Sequence, residues 1–191
     1  AVSSAFLLAT LALRGIQTFD RYWLESLAGI EVVAAYVLYF GVASTLLTFL
    51  DAGLFAFTYP ALIQLHHEQK NDVARKKVRK LLGLTILLSV GFALVSWLLL
   101  PYLLLWINNP VYFSVINLYP LLLLAMIFNA IGMVPHYALY ARGHDRPIIY
   151  SHVAALIVFV LATWALGAHF AATAVPIGLN FSFALILVWK G

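Results

Sequence analysis

The chain has 191 residues, of which 64% are hydrophobic and 9% charged, with a formal net charge of +4 and a mean hydropathy of +0.99. So little polar surface excludes a water-soluble domain and marks an integral membrane protein. The absence of cysteine excludes a disulfide framework, a thiolate metal site and a thiol nucleophile.

Turn residues set against apolar runs predict six helices, at roughly 1–28, 32–65, 81–107, 111–140, 147–166 and 172–189. The breaks are Ala28-Gly29, the stretch 66–80, Asn108-Asn109-Pro110, the stretch 142–147 and the stretch from Gly167 to Ala171. Stretches 81–107 and 111–141 carry no charge and exceed the roughly 20 residues that cross a bilayer. The second helix would be about 51 Å long at 1.5 Å per residue, longer than the hydrocarbon core, so a kink is expected near Gly53 or Pro60. Ala1 to Leu13 lacks a basic leader and runs on into helix, which reads as a piece of a longer chain rather than a cleaved signal.

Basic residues set the expected orientation. Lys70, Arg75, Lys76, Lys77, Arg79, Lys80, Arg142, Arg146 and Lys190 all fall on one side of the six-helix arrangement, and the opposite loops hold no Lys or Arg. Short cytoplasmic loops collect these residues, so loops 66–80 and 141–146 and both ends of the chain are expected on the cytoplasmic side of the membrane. The run "KNDVARKKVRK" lacks interleaved aromatics and a binding fold, which argues against nucleic acid. It is expected as a basic linker lying on anionic membrane lipids as a short helix.

The first helix poses the functional question, because "RGIQTFDRYW" puts charges at membrane depth. A helix advances by about 100° per residue, so with Arg14 at zero, Arg21 falls at about −20°, Glu25 at about +20° and Thr18 at about +40°. Gln17 stands at the border, at about −60°. Arg21 and Glu25 are spaced to pair. Asp20 points about 120° away and needs a partner elsewhere, such as an arginine on a neighbouring helix. Ionised groups on one stripe will not face lipid, where each costs roughly 2.5–3.5 kcal/mol, so the stripe is expected to face a wet cavity or a protein interior. Arg14, Gln17, Thr18, Arg21 and Glu25 are therefore the candidate substrate-binding residues, with guanidinium groups suited to phosphate. Asp20 is the candidate for ion coupling or for a structural pair.

Elsewhere, Asp51 reads as a snorkelled or paired carboxylate and Asn117, Asn129 and Asn180 as interhelical hydrogen-bond formers. His136 and His152 are expected close together near the inner interface, in a structural role or as a titrating pair. Pro101, Pro120, Pro135 and Pro176 are expected to interrupt helices. "HHEQK" lacks the second histidine of a zinc-binding HExxH motif, and no catalytic constellation, metal site or cofactor motif is present.

Order and spacing of several segments resemble the second half of the polysaccharide exporter and O-antigen flippase family, within the multidrug, oligosaccharidyl-lipid and polysaccharide transporter superfamily. The residues that carry the resemblance are "DRYWLESLAGIEVVAAY", with Asp20-Arg21 followed by Gly29, Glu31 and Tyr36, then "TYPALIQL", the basic segment, and "LYARGHDRP". Ala34-Ala35 departs from the pattern, in which a glycine shortly precedes the tyrosine. The resemblance implies an all-α integral membrane protein, a six-transmembrane-helix lobe of a two-lobe transporter of twelve or more helices. It implies an N-terminal lobe of the same protein as partner. The implied substrate is an undecaprenyl pyrophosphate-linked glycan, flipped by alternating access without catalysis. A cation-coupled multidrug exporter of the same superfamily and a non-transporting membrane scaffold subunit are the alternatives.

Overall fold

A computed structural model describes residues 2–191, with side chains from residue 10 onward. The fold is all helical: α1 (Val2–Ala28), α2 (Ile30–Leu50), a π-helical turn (Asp51–Phe55), α3 (Ala56–His67), α4 (Asn71–Ile107), α5 (Pro110–Ser114), α6 (Leu118–Ala141), α7 (Asp145–Gly167) and α8 (Ala174–Lys190). Among the described residues, four helical stretches are long and apolar enough to cross a membrane: Ile30–His67, Asn71–Ile107, Leu118–Ala141 and Asp145–Gly167. The protein is therefore membrane-embedded by composition and by its long apolar helices. Of the other two expected spans, α1 carries Arg14, Asp20, Arg21 and Glu25, and α8 has only 17 residues.

Two expected boundaries are corrected. The basic segment is not a separate surface helix, because α4 runs unbroken for 37 residues from Asn71. No glycine or proline lies between 71 and 82, and Ala, Lys, Arg and Leu propagate a helix readily. At about 55 Å, α4 outlasts the hydrocarbon core, and its basic end extends beyond the apolar span. The stretch 111–140 is divided into α5 and α6. Asn109 Oδ1 accepts from the Val111 amide at 3.0 Å and Pro110 opens α5, a helix start that is over after one turn. Pro120 then sits in the first turn of α6, where its missing N–H leaves no bond unmade. Pro176 occupies the same place in α8, so only Pro60, Pro101 and Pro135 lie inside helices. The expected kink in the second helix takes the form of the π turn at Asp51–Phe55, just ahead of Pro60, whose missing N–H leaves the Ala56 carbonyl without its helical donor.

The core lies where α6, α7 and α8 pack on one another, with α2 against α6 and α1 against α7. On α2 the buried residues Val33, Tyr36, Tyr39, Ala43, Leu46 and Leu50 recur every three to four positions, the spacing of a single helix face. Val33, Tyr36, Tyr39 and Ala43 meet Ile16, Leu24, Met126, Phe159 and Phe183 in one cluster, while Leu46 and Leu50 join Phe55, Leu62 and Leu81 in a second. α7 and α8 approach closely at Gly178, where an added Cβ would lie 3.3 Å from the Phe159 ring and against the Thr163 hydroxyl. Asn180 ties α8 to α6 by donating to the Leu121 carbonyl at 2.8 Å, the interhelical role expected of it. Asn117 has no such role, being exposed at the N-terminal boundary of α6. Leu87, Leu94, Leu98, Trp106 and Trp164 point outward, as a lipid-facing surface requires.

The turn after α3 holds the one ion pair among the described residues, Lys70 Nζ to Glu68 Oε2 at 2.7 Å. The hydrogen bond from Lys70, and then that from Gln64 at 2.9 Å, hold the Glu68 carboxyl below the usual carboxylate range.

Candidate functional site

Two faces of α1 separate as helical spacing requires. Asp20 is 1% exposed; it accepts a hydrogen bond from the Tyr36 hydroxyl of α2 at 2.5 Å and one from the Arg21 amide at 2.7 Å. The expected arginine partner on a neighbouring helix is thus corrected to a tyrosine. α2 carries no arginine, and a phenol is the donor that Tyr36 brings to Asp20 from it.

On the other face, Arg14, Gln17, Thr18 and Arg21 line a groove of about 830 Å³. The far wall is built by Phe40, Ser44 and Thr48 of α2, Asp51 of the π turn, Met133 and His136 of α6, and Ile148 and His152 of α7. Arg14, Thr18 and Arg21 are exposed and Gln17 is half-buried. The Thr18 hydroxyl donates to the Arg14 carbonyl at 2.8 Å, which leaves its oxygen free to accept. Glu25 is exposed but lies outside the lining of the groove, about one helical turn beyond Arg21. No ion pair joins Arg21 to Glu25 among the described residues, so the pairing expected from their spacing is not made. The two guanidinium groups are consequently not neutralised by the acid on their own stripe.

A second hollow of about 650 Å³ continues from the first and shares Leu47, Thr48, Asp51 and Met133 with it. Asn129, Tyr59 and Tyr137 complete its polar lining. Asp51 stands between the two hollows and accepts from the Tyr137 hydroxyl of α6 at 3.1 Å, a partner that sequence spacing could not supply. Tyr39 of α2 donates to the Tyr112 carbonyl and so holds the short α5 against the bundle.

Sequence reasoning placed Lys190 among the solvated cytoplasmic bases, and the structure corrects this. Lys190 is 7% exposed, and its Nζ lies 3.1 Å from His136 Nδ1 and 2.8 Å from His152 Nε2. The expected proximity of the two histidines holds, with ring centroids 5.9 Å apart and planes 11° from parallel. A lysine ending a 17-residue apolar helix reads as a flanking base, and only the packing of α8 between α6 and α7 turns it inward.

Among the described residues, no group of three or more His, Cys, Asp or Glu side chains is arranged to hold a metal ion. The groove offers guanidinium, amide and hydroxyl donors in one concave, partly apolar surface. Such a lining suits recognition of an anionic oxygen group, because guanidinium donates two parallel hydrogen bonds to phosphate oxygens. Compared with protein families, curated proteins and solved structures, the chain matches none of them.

Proposed function

We propose that the chain is a transporter lobe that binds a lipid-linked oligosaccharide through its pyrophosphate and carries it across the inner membrane by alternating access. In this reading it is the second lobe of a polysaccharide exporter or O-antigen flippase, and the groove faces an N-terminal lobe of the same protein. The observation that carries the reading is the groove itself: Arg14, Gln17, Thr18 and Arg21 share one concave lining, and Arg21 makes no ion pair with Glu25. Exposed arginines on a helix packed among apolar helices require a wet cavity or an anionic ligand. The resemblance of the "DRYWLESLAGIEVVAAY" and "LYARGHDRP" segments to that family supports the same substrate class. The asymmetry of basic residues supports an orientation with the turns at 68–70 and 142–144 in the cytoplasm.

The multidrug-exporter reading wants acidic residues in the lobe to bind a cation, with Asp20 as the candidate. Asp20 lies in the packed interior with Tyr36, which favours the anionic substrate. Photo-crosslinking tests the proposal: a photoreactive residue at Gln17 should capture an undecaprenyl pyrophosphate-linked glycan, and one at Trp164, on the outer surface, should not. Equal capture at both positions, or none at Gln17, would refute it.

A further inference from the structure

The arginine stripe does not account for the cluster formed by Lys190, His136 and His152. Both rings line the groove, while the Lys190 side chain between them is buried. When Lys190 is charged its ammonium has donors only, so Nζ then donates to both rings, and His136 Nδ1 and His152 Nε2 accept. That assigns the tautomers: His136 carries its hydrogen on Nε2 and His152 on Nδ1. His152 Nδ1 is buried and meets no hydrogen-bond partner, and Lys190 is in no ion pair among the described residues. Charging Lys190 thus sets one excess proton among three basic side chains, in a place where charge is costly without a counter-ion.

The surroundings show what can balance it. The charged and polar lining of the same groove includes Arg14 and Arg21 from α1, the uncharged hydroxyls of Ser44 and Thr48 from α2, and Asp51 from the π turn. Tyr137 of α6 meets His136 edge-on at 5.8 Å and gives its hydroxyl to Asp51. Asp20 is on the opposite face of α1, against Tyr36. The charges lining the groove are therefore mainly positive. A neutral Lys190 amine avoids the cost of a buried charge and can still hydrogen-bond to both rings, whereas the ammonium adds a further positive charge beside the groove. An empty groove disfavours that state; an anion in the groove favours it. Anion binding and proton uptake are then linked, each promoting the other by the same free energy.

We propose that Lys190, His136 and His152 form a proton-binding site linked to the groove, taking a proton from water when a diphosphate diester binds and returning it when the ligand leaves. The proposal rests on the reading of the groove as an anion site. UDP-glucose is a suitable probe, because its diphosphate diester keeps a constant charge around neutral pH. Calorimetric titration of the protein in detergent, in buffers of different ionisation enthalpy, should show net proton uptake on binding. Where uptake approaches a whole proton, affinity should weaken by up to about tenfold per pH unit on the alkaline side of neutrality. Lys190→Met should keep binding and lose the uptake; should that variant fail to fold, Lys190→Gln makes the same comparison. Binding without uptake in the unaltered protein overturns this inference and leaves the anion site standing. Uptake that persists in a folded variant also overturns it. No binding at all overturns both.

Discussion

Asp20 and Arg21 are neighbours on α1 and end in opposite surroundings. Asp20 is sealed between helices, with the Tyr36 hydroxyl and the Arg21 amide as its donors. Arg21 shares a groove with Arg14 and keeps its guanidinium exposed. One residue advances a helix by about 100°, enough to divide a structural charge from one available to a ligand. Charge at membrane depth is therefore not in itself a sign of function; what separates the two cases is whether the protein already supplies a partner.

If Asp20 is structural, removing its partner should cost more stability than removing the exposed charge. Tyr36→Phe should destabilise the protein by about 1.5–3 kcal/mol, the range for a buried hydrogen bond to a charged group, as read from denaturant unfolding in detergent. A cost near zero would mean that Asp20 is protonated or solvated. Packing gives a comparable benchmark without charge: Gly178→Leu should cost about 1–3 kcal/mol, because its side chain must displace Phe159 and Thr163 where α7 meets α8. Arg21→Gln should change stability by less than about 0.5 kcal/mol, as expected for an exposed side chain without an ion pair. A loss as large as that of Tyr36→Phe would show Arg21 to be structural too and would erase the contrast.

The smallest effect belongs to the exposed Glu68–Lys70 pair. The Glu68 carboxyl is held below its usual range first by Lys70 and then by Gln64. Its contribution is therefore present above the ordinary carboxylate pKa and is lost as pH falls through the lowered value. Glu68→Gln should leave global unfolding unchanged. Its effect should appear only as faster hydrogen exchange at the Lys70 amide, which bonds the Leu65 carbonyl across the turn.

Helical periodicity carried most of α1 in the sequence. It set Arg14, Thr18 and Arg21 on one face with Gln17 at the border, and turned Asp20 away from them. It could not name Tyr36 as the partner, because which residue of α2 meets Asp20 depends on the Gly29 turn, with φ at 85°, and on the angle at which the two helices pack. Glu25 shared the stripe by angle and missed the groove by height, a distinction that angle alone does not make. The basic run misled for a different reason. Charge signals a membrane boundary and says nothing of where a helix stops, and residues 71–82 hold nothing to stop one. Asp51 meets Tyr137, and Lys190 the two histidines of the groove, through contacts with α6 and α7 that lie 38 to 86 residues away in sequence, beyond any local pattern.

The central claim is that the arginine face of α1 is there for an anionic substrate and does not hold the fold together. Its most direct test is the double variant Arg14→Gln, Arg21→Gln in a bacterial strain whose surface polysaccharide depends on this protein, with membrane abundance and unfolding measured alongside export. The account predicts unchanged abundance and stability with export abolished. Normal export by a well-expressed double variant would contradict it.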